Sequence, residues 1–255
     1  MRLSDLHRKL LNRWKKFRLQ PIRIFCLHHV SDTFDPSYMW ECDWVNTDVL
    51  KKFILDLQQS GYSFISLPEA HERLKTDWLR RKRYAVLTAD DGFKTLLNIV
   101  PWLIEQNIPI TLFVNPKYIL EDGIGENVQE RLDETKYAKT NEEIYLKKSD
   151  LDAINSPLVT IAYHGYEHLD EWELDEHAFV QNVEQCERAL QELPLKVIPY
   201  YAHTYGHARE KNDSILAKKK LTPVHVSDGV NYNDSTRIDR ELISNERLLN
   251  AKVHV

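Results

Sequence analysis

The chain has 255 residues, with 34 lysines and arginines against 39 aspartates and glutamates, so its formal net charge is −5. This mild acidity argues against a nucleic-acid-binding domain, which carries a basic excess or patch. Hydrophobic residues make up 42% and charged residues 29% of the chain. That composition is typical of a globular protein and excludes a disordered, collagen-like or coiled-coil chain. No stretch approaches the roughly 18 consecutive apolar residues of a membrane span.

The cysteines are few and have no metal-ligand spacing. Cys26, Cys42 and Cys186 form an odd, widely separated set, which makes a disulfide framework unexpected and favours a reducing compartment. The basic N-terminus is not followed by the apolar core of a signal peptide. We therefore expect a cytoplasmic protein.

Residues 1–20 differ from the rest of the chain, because they carry seven lysines and arginines and one aspartate. Their apolar residues recur at three- and four-residue steps: Leu3, Leu6, Leu10, Trp14 and Phe17. This spacing predicts a basic amphipathic helix. Such a helix can lie in a membrane interface rich in anionic lipid, or it can pack its apolar stripe on the domain behind it. A single domain, residues 21–255, follows from Pro21.

Beyond Pro21, short β-branched and aromatic runs alternate with helical patterns. The predicted strands are Ile22–Leu27, Tyr62–Ile65, Tyr84–Thr88, Ile108–Val114, Leu158–Tyr163, Lys196–Ala202 and Pro223–Val226. Asp48–Ser60 and Asp175–Gln191 have helical spacing. The polar stretch Glu121–Asn141 has no apolar rhythm and is expected to be an inserted loop or an irregular segment. Near-continuous apolar strands that alternate with helices predict βαβ units, and hence a parallel sheet or barrel.

Two adjacent carboxylates follow the predicted strand Tyr84–Thr88, in the segment Thr88–Gly92 (Thr-Ala-Asp-Asp-Gly). Burying Asp90 and Asp91 together is costly unless a cation compensates their charge. A metal ion bound to one carboxylate would leave the other free to act as a base. The alternative is a simple polar turn, because Asp and Gly are common turn residues.

Two histidines follow the predicted strand Leu158–Tyr163, in the segment His164–His168 (His-Gly-Tyr-Glu-His). Histidines four residues apart can bind one ion, although a surface pair in an acidic loop is the alternative. Active sites in α/β folds form at the C-terminal ends of strands. There, Asp91, His164 and His168 would make a two-histidine, one-carboxylate metal set with an open position for water. The agreement of the two segments favours the metal site.

A third segment, Tyr200–Gly206 (Tyr-Tyr-Ala-His-Thr-Tyr-Gly), also lies at a strand end. In this order and spacing, the three segments resemble the polysaccharide deacetylases that share the NodB homology domain, also described as carbohydrate esterase family 4-like. The family reads Thr-Phe-Asp-Asp-Gly, then His-Ser/Thr-x-x-His, then a strand ending in Arg/Tyr-Pro-Tyr/Pro-x-Gly. Ile24–Ser31, Gly61–Leu67 and Ile108–Val114 resemble other strands of these proteins. The resemblance implies a distorted (β/α) barrel of about seven parallel strands, with a divalent metal that is usually zinc.

The resemblance also implies a role for each matching residue. Asp91, His164 and His168 would hold the metal, and Asp90 would be the general base that acts on a metal-activated water. The backbone N–H of Tyr205 would stabilise the oxyanion. The candidates for protonating the leaving amine are His28, His203, His225 and His254. Position favours His203 as the proton donor, while His28 at the end of the first strand is expected to line the site.

The segment Phe34–Trp44 contains four aromatic residues among acidic ones. Aromatic rings stack on the apolar faces of sugars, so we interpret Trp40 as a substrate-binding residue. The alternative is an aromatic flap that covers one end of the barrel.

The leading functional hypothesis is a metal-dependent hydrolase that removes an acetyl group from an N-acetylated sugar of an oligo- or polysaccharide. Its substrate would be a carbohydrate, such as a lipid-linked precursor of a surface polysaccharide, and residues 1–20 would contact the inner face of the membrane. One alternative is an amidohydrolase of a small non-sugar amide. The other is a saccharide-binding domain that has lost turnover.

Overall fold

The computed structural model describes residues 20–77, 81–232 and 237–250. Its strands are β1 (Ile22–Leu27), β2 (His29–Val30), β3 (Trp44–Val45), β4 (Tyr62–Phe64), β5 (Arg83–Ala89), β6 (Ile110–Val114), β7 (Val159–Tyr163), β8 (Lys196–Ala202), β9 (Thr222–Ser227), β10 (Val230–Asn231) and β11 (Ile238–Leu242). Seven of them pair in the closed order β1-β11-β9-β8-β7-β6-β5-β1, and every pair in this ring is parallel. The predicted barrel of about seven parallel strands is therefore confirmed.

Helices connect the strands and cover the barrel. They are α1 (Thr47–Gln59), α2 (Leu67–Thr76), α3 (Val100–Glu105), α4 (Pro116–Leu120), α5 (Glu126–Thr135), α6 (Asn141–Ile144), α7 (Lys148–Ala153), α8 (Glu176–Leu190), α9 (Glu210–Lys218) and α10 (Asn245–Asn250), with 3₁₀ turns at Lys94–Asn98 and Thr204–Gly206. The two predicted helices correspond to α1 and α8. Each begins at an N-cap side chain, Asn46 or Asp175, that accepts hydrogen bonds from backbone N–H groups of the first turn.

Alternate residues of the barrel strands face its interior, because successive side chains of a strand point to opposite faces. Ile22 and Ile24 of β1 belong to the same buried cluster as Val86, Phe113 and Ile238 of β5, β6 and β11. Helix α2 contributes three further residues to this cluster: Leu67, Ala70 and Leu74. The opposite faces of the strands pack under the surrounding helices in a second, larger cluster.

The strand composition of the barrel differs from the prediction in one place. The predicted strand Tyr62–Ile65 exists as β4, but it pairs with the first half of β5 at the edge of the sheet and lies outside the ring. The seventh barrel strand is β11, which pairs with β1 and β9. Its sequence Ile-Asp-Arg-Glu-Leu has three consecutive charged residues, so it carries no apolar strand signal.

The prediction of an inserted loop over Glu121–Asn141 was wrong, because α5 occupies its middle. Val128 and Leu132 lie four residues apart on one helical face and are buried. They pack in an aromatic cluster with Phe93, Tyr118 and Tyr145. Two apolar residues were too few to give a periodic signal. The N-terminal helix was predicted for residues 1–20, of which residues 1–19 lie outside the described part of the chain. Among the described residues, no helix has the length and apolarity needed to cross a membrane.

A buried histidine joins α2 to the barrel, and it should make stability depend on pH. His71 Nδ1 lies 3.0 Å from the Tyr200 hydroxyl. Burial, with a smaller effect of Lys75, lowers the pKa of His71 from 6.5 to about 4. In the unfolded chain His71 takes up a proton at higher pH than in the folded protein. Stability is therefore complete above pH 6.5 and falls as the pH drops toward 4.

His71→Gln removes this titration, and we expect a flatter dependence of the free energy of unfolding on pH between 6.5 and 4. Urea unfolding across this range measures it. The control is His177→Gln on the exposed face of α8, which should leave the slope of wild type unchanged. An equally steep slope in His71→Gln would contradict the assignment.

Candidate active site

The turns that follow β5 and β7 have unusual backbone geometry. Asp91, Gly92 and Gly165 have φ angles of 68°, 74° and 72°, in the left-handed region. A Cβ atom on Gly92 would also lie 3.2 Å from Val114 Cγ1, so this position needs glycine both for its φ angle and for the close approach of β6. The Asp90 N–H donates to the Leu27 carbonyl of β1 at 2.9 Å. These turns direct the acidic and histidine side chains toward one another at the C-terminal end of the barrel.

The structure brings together the three predicted metal ligands. Asp91 Oδ1 lies 3.0 Å from His164 Nε2 and 3.2 Å from His168 Nε2. Asp91 Oδ1 is buried and has no hydrogen-bond partner among the described residues. In a tetrahedral zinc site, ligand atoms lie about 2.0 Å from the metal and hence about 3.3 Å from one another. The buried, unpartnered oxygen and these spacings fit a divalent metal ion.

The surroundings prepare these side chains for metal binding. His164 Nδ1 lies 2.9 Å from the Ala202 carbonyl, and donation to that oxygen leaves the Nε2 lone pair facing Asp91. Burial alone would raise the pKa of Asp91, but His168 and His164 outweigh it and hold that pKa well below its usual value. Asp91 is therefore a carboxylate at neutral pH, as a metal ligand must be.

Arg240 of β11 holds the second carboxylate, although no local sequence pattern indicated it. Its guanidinium donates to both oxygens of Asp90, at 2.5 and 2.7 Å, and to the Thr88 hydroxyl at 3.1 Å. Arg240 is 0% exposed, and its guanidinium carbon lies 4.8 Å from the centroid of the Phe113 ring. Burial raises the pKa of Asp90, but the charge of Arg240 outweighs it and the net shift is downward. Asp90 is thus oriented and ionised.

The other predicted site residues lie around one cleft of about 250 Å³ at this end of the barrel. Its lining includes all the site residues predicted from the sequence, together with Asp43, Phe93, Asn127, Gly206, Val226 and Leu242. His28 borders the cleft beside Asp90, and its Nδ1 is buried without a hydrogen-bond partner among the described residues. Tyr205 has a φ angle of 54°, and its ring meets the His168 ring edge-on at a centroid distance of 4.6 Å.

His203 lines the cleft, but both of its ring nitrogens are engaged. Nδ1 lies 2.6 Å from Glu171 Oε2, and Nε2 lies 2.9 Å from Asp213 Oδ1. Burial lowers the pKa of His203, but the two carboxylates outweigh burial and raise it to about 9. The geometry does not favour the predicted role of His203 as proton donor, because no nitrogen is free to face a substrate. His225 contacts Asp213 behind it, and His254 lies outside the described residues.

The residues of the segment Phe34–Trp44 divide between the two interpretations, an aromatic flap and a substrate-binding surface. Tyr38 is buried in the aromatic cluster beneath the cleft, and the Trp44 indole N–H donates to Ser31. Phe34 packs against Trp44 at a ring centroid distance of 5.4 Å. These three residues form a packed flap. Trp40 differs from them because it lines the cleft.

A closed (β/α) barrel with carboxylates and histidines at the C-terminal strand ends belongs to the class of barrel enzymes. A family model described as "Polysaccharide deacetylase" matches residues 79–224, more than half of the chain. The chain belongs to this polysaccharide deacetylase family, as its motifs indicated. No curated protein matches the sequence.

Solved structures of similar proteins share the fold. IcaB from Ammonifex degensii has 18% sequence identity and a TM-score of 0.71, with 90% of this chain and 94% of that chain covered. The Streptococcus pyogenes deacetylase PplD, in complex with acetate, has 18% identity and a TM-score of 0.70, with 91% and 97% covered. A de-N-acetylase from Aggregatibacter actinomycetemcomitans has 16% identity and a TM-score of 0.69, with 89% and 96% covered.

Proposed function

We propose that the protein is a metal-dependent hydrolase that removes the acetyl group from an N-acetylated sugar of an oligo- or polysaccharide. The observation that carries the proposal is the group formed by Asp91, His164 and His168 at the floor of an open cleft, beside the Arg240-held carboxylate of Asp90. Membership of the polysaccharide deacetylase family supports the same reaction. One similar structure is described in complex with acetate, the product that this reaction releases.

Asp91, His164 and His168 would hold the ion, and a nitrogen and oxygen donor set of this kind suits zinc. When bound, such an ion lowers the pKa of water toward neutrality and polarises a carbonyl oxygen. The remaining steps belong to residues of the chain. Asp91 and His164 are almost completely buried, and His168 is largely so, so the ligand atoms meet at the floor of the cleft.

Asp90 is the general base in this proposal. It takes a proton from water as the oxygen attacks the acetamide carbonyl carbon. Its lowered pKa makes it a weaker base than an ordinary carboxylate, but it guarantees the ionised form at neutral pH. Arg240 occupies one side of each carboxylate oxygen and so fixes the direction in which the remaining lone pairs point.

His28 is the proton donor that the geometry favours. Its ring borders the cleft, and a ring nitrogen lies within 4.8 Å of a carboxylate oxygen of Asp90. The amide C–N bond breaks, acetate leaves with the oxygen of water, and the sugar amine takes the proton that His28 supplies. The Tyr205 backbone N–H is assigned to the oxyanion. The Trp40 ring is assigned to the apolar face of the sugar.

The test is acetate release from chito-oligosaccharides, which are oligomers of N-acetylglucosamine, by the full chain loaded with zinc. Wild type should release acetate and His168→Ala should not, with its zinc content reduced. His207→Gln is the matched control, because His207 pairs with Asp170 at the surface and should not affect release. Oligosaccharide binding without acetate release would favour the saccharide-binding alternative. Release from a small non-sugar acetamide alone would favour the amidohydrolase.

A further inference from the structure

A second group of potential metal ligands lies beside the cleft and includes His203, which lines it. His203 follows β8, Asp213 lies on α9 and His225 lies on β9, and one ligand atom from each lies within 4.8 Å of the other two. Asp213 Oδ1 is 2.9 Å from His203 Nε2, and Asp213 Oδ2 is 3.2 Å from His225 Nε2. The group has the same two-histidine, one-carboxylate composition as the candidate metal centre, but it shares no residue with it.

We propose that His203, Asp213 and His225 form a second binding site for a divalent cation, of which zinc suits the donor set best. The ligand spacings of 2.9 and 3.2 Å are close to the 3.0 and 3.2 Å at Asp91 and to the roughly 3.3 Å of a tetrahedral zinc site. This second site does not depend on the proposed reaction.

An unpartnered nitrogen supports the assignment. His225 Nε2 is buried and has no hydrogen bond among the described residues, although Asp213 lies 3.2 Å away. The same pattern of proximity without hydrogen-bond geometry occurs at Asp91 Oδ1. In each case the atom has a neighbour at ligand spacing rather than a donor or acceptor aligned with it. A buried polar atom of this kind costs free energy unless an ion or water satisfies it.

Glu171 supplies the orienting contact that metal-bound histidines require. Its Oε2 is 2.6 Å from His203 Nδ1, so His203 can donate its Nδ1 proton to Glu171 and present the Nε2 lone pair to an ion. Glu171 is 0% exposed, and its Oε1 accepts from the Tyr201 hydroxyl at 3.0 Å. At the first site the Ala202 carbonyl performs this function for His164.

Two carboxylates contact His203, Glu171 at Nδ1 and Asp213 at Nε2. A divalent cation would compensate their negative charges, which are costly where they are buried. Asp213 is 27% exposed at its side chain, so water can reach the remaining coordination position. The ion would tie α9 and β9 to the turn that carries Tyr205 into the cleft.

The experiment counts zinc ions on the full chain by elemental analysis and native mass spectrometry after equilibration with zinc. Wild type should hold two ions. His225→Gln and Asp91→Asn/His168→Ala should each hold one, and the variant with all three substitutions should hold none. His207→Gln, which changes a surface histidine in the same region, should keep two. Asp213→Asn, which changes another ligand of the proposed second site, should also hold one ion. In the Asp91→Asn/His168→Ala protein, added zinc should raise the thermal unfolding midpoint, and His225→Gln should abolish that rise.

The two sites give separable outcomes. One ion that His225→Gln retains and Asp91→Asn/His168→Ala loses would overturn the second site and leave the proposed function intact. One ion with the reverse dependence would support the second site and count against the proposed function. No zinc on wild type would overturn both proposals.

Discussion

Replacing Arg240 with leucine is expected to lower the free energy of unfolding by about 3–5 kcal/mol, because the change leaves a buried carboxylate without its cation. Asp90 is 2% exposed, so water cannot take over the two hydrogen bonds that Arg240 now donates. Catalysis should also fail. Without Arg240, mainly His164 remains to counter the effect of burial on the pKa of Asp90, so this pKa should rise. Part of the Asp90 population would then be protonated, and its side chain would be free to reorient.

The dependence on pH has a definite sign. Arg240 lowers the pKa of Asp90 in the folded protein, so their interaction stabilises the fold above the unfolded pKa of an aspartate, about 3.9. That stabilisation disappears as the pH falls through the folded pKa. The gap in stability between wild type and Arg240→Leu should therefore be largest near neutral pH and should narrow in acid. Urea unfolding at a series of pH values measures it.

Two further variants make this prediction specific. Arg23→Leu breaks an ion pair with Glu241, whose side chains are 23% and 31% exposed, and should cost no more than about 1 kcal/mol through that pair. Asp90→Asn/Arg240→Leu removes both charges of the buried pair and should recover much of the lost stability, while activity stays absent. If Arg240→Leu is as stable as Arg23→Leu, the buried pair of Asp90 and Arg240 does not stabilise the fold as proposed.

Asp90→Asn should reduce the rate of acetate release by at least about 10²–10⁴-fold, the contribution of a general base, and should leave the metal content unchanged. Asp91→Asn should abolish acetate release and should lose the ion held by Asp91, His164 and His168. The two residues are adjacent and buried, but their contacts differ: Asp90 faces the guanidinium of Arg240, and Asp91 faces His164 and His168. The pair is therefore its own matched control, with identical chemical changes one position apart.

Rate measurements with chito-oligosaccharides and elemental analysis on the same samples test this division of roles. Loss of metal from Asp90→Asn, with metal retained by Asp91→Asn, would show that the two carboxylates have exchanged roles. Full activity in Asp90→Asn would exclude Asp90 as the base. The thermal unfolding midpoints of both variants should be recorded, because Asp90→Asn also removes the negative partner of a buried arginine.

The sequence by itself predicted what depends on local patterns. Six barrel strands were predicted from apolar runs. In four of them, β1, β5, β6 and β7, nearly every residue is buried on both faces, and β6 is buried at all five positions. The segments Thr88–Gly92 and His164–His168 were found because each follows such a strand directly. Parallel strands end on the same side of a barrel, so strand ends alone predicted that Asp91, His164 and His168 would meet.

Only the tertiary structure decided which residues hold these groups in place. Arg240 and Asp90 are separated by 150 positions, and the charged sequence of β11 gives no strand signal, so nothing local indicated their pairing. The engagement of both His203 nitrogens by Glu171 and Asp213 likewise depends on segments brought together by β8 and α9. The spacing of apolar residues along the sequence indicates which face of a single helix or strand is buried. Contacts between side chains from different elements depend on how the barrel closes, which is a property of the packed chain.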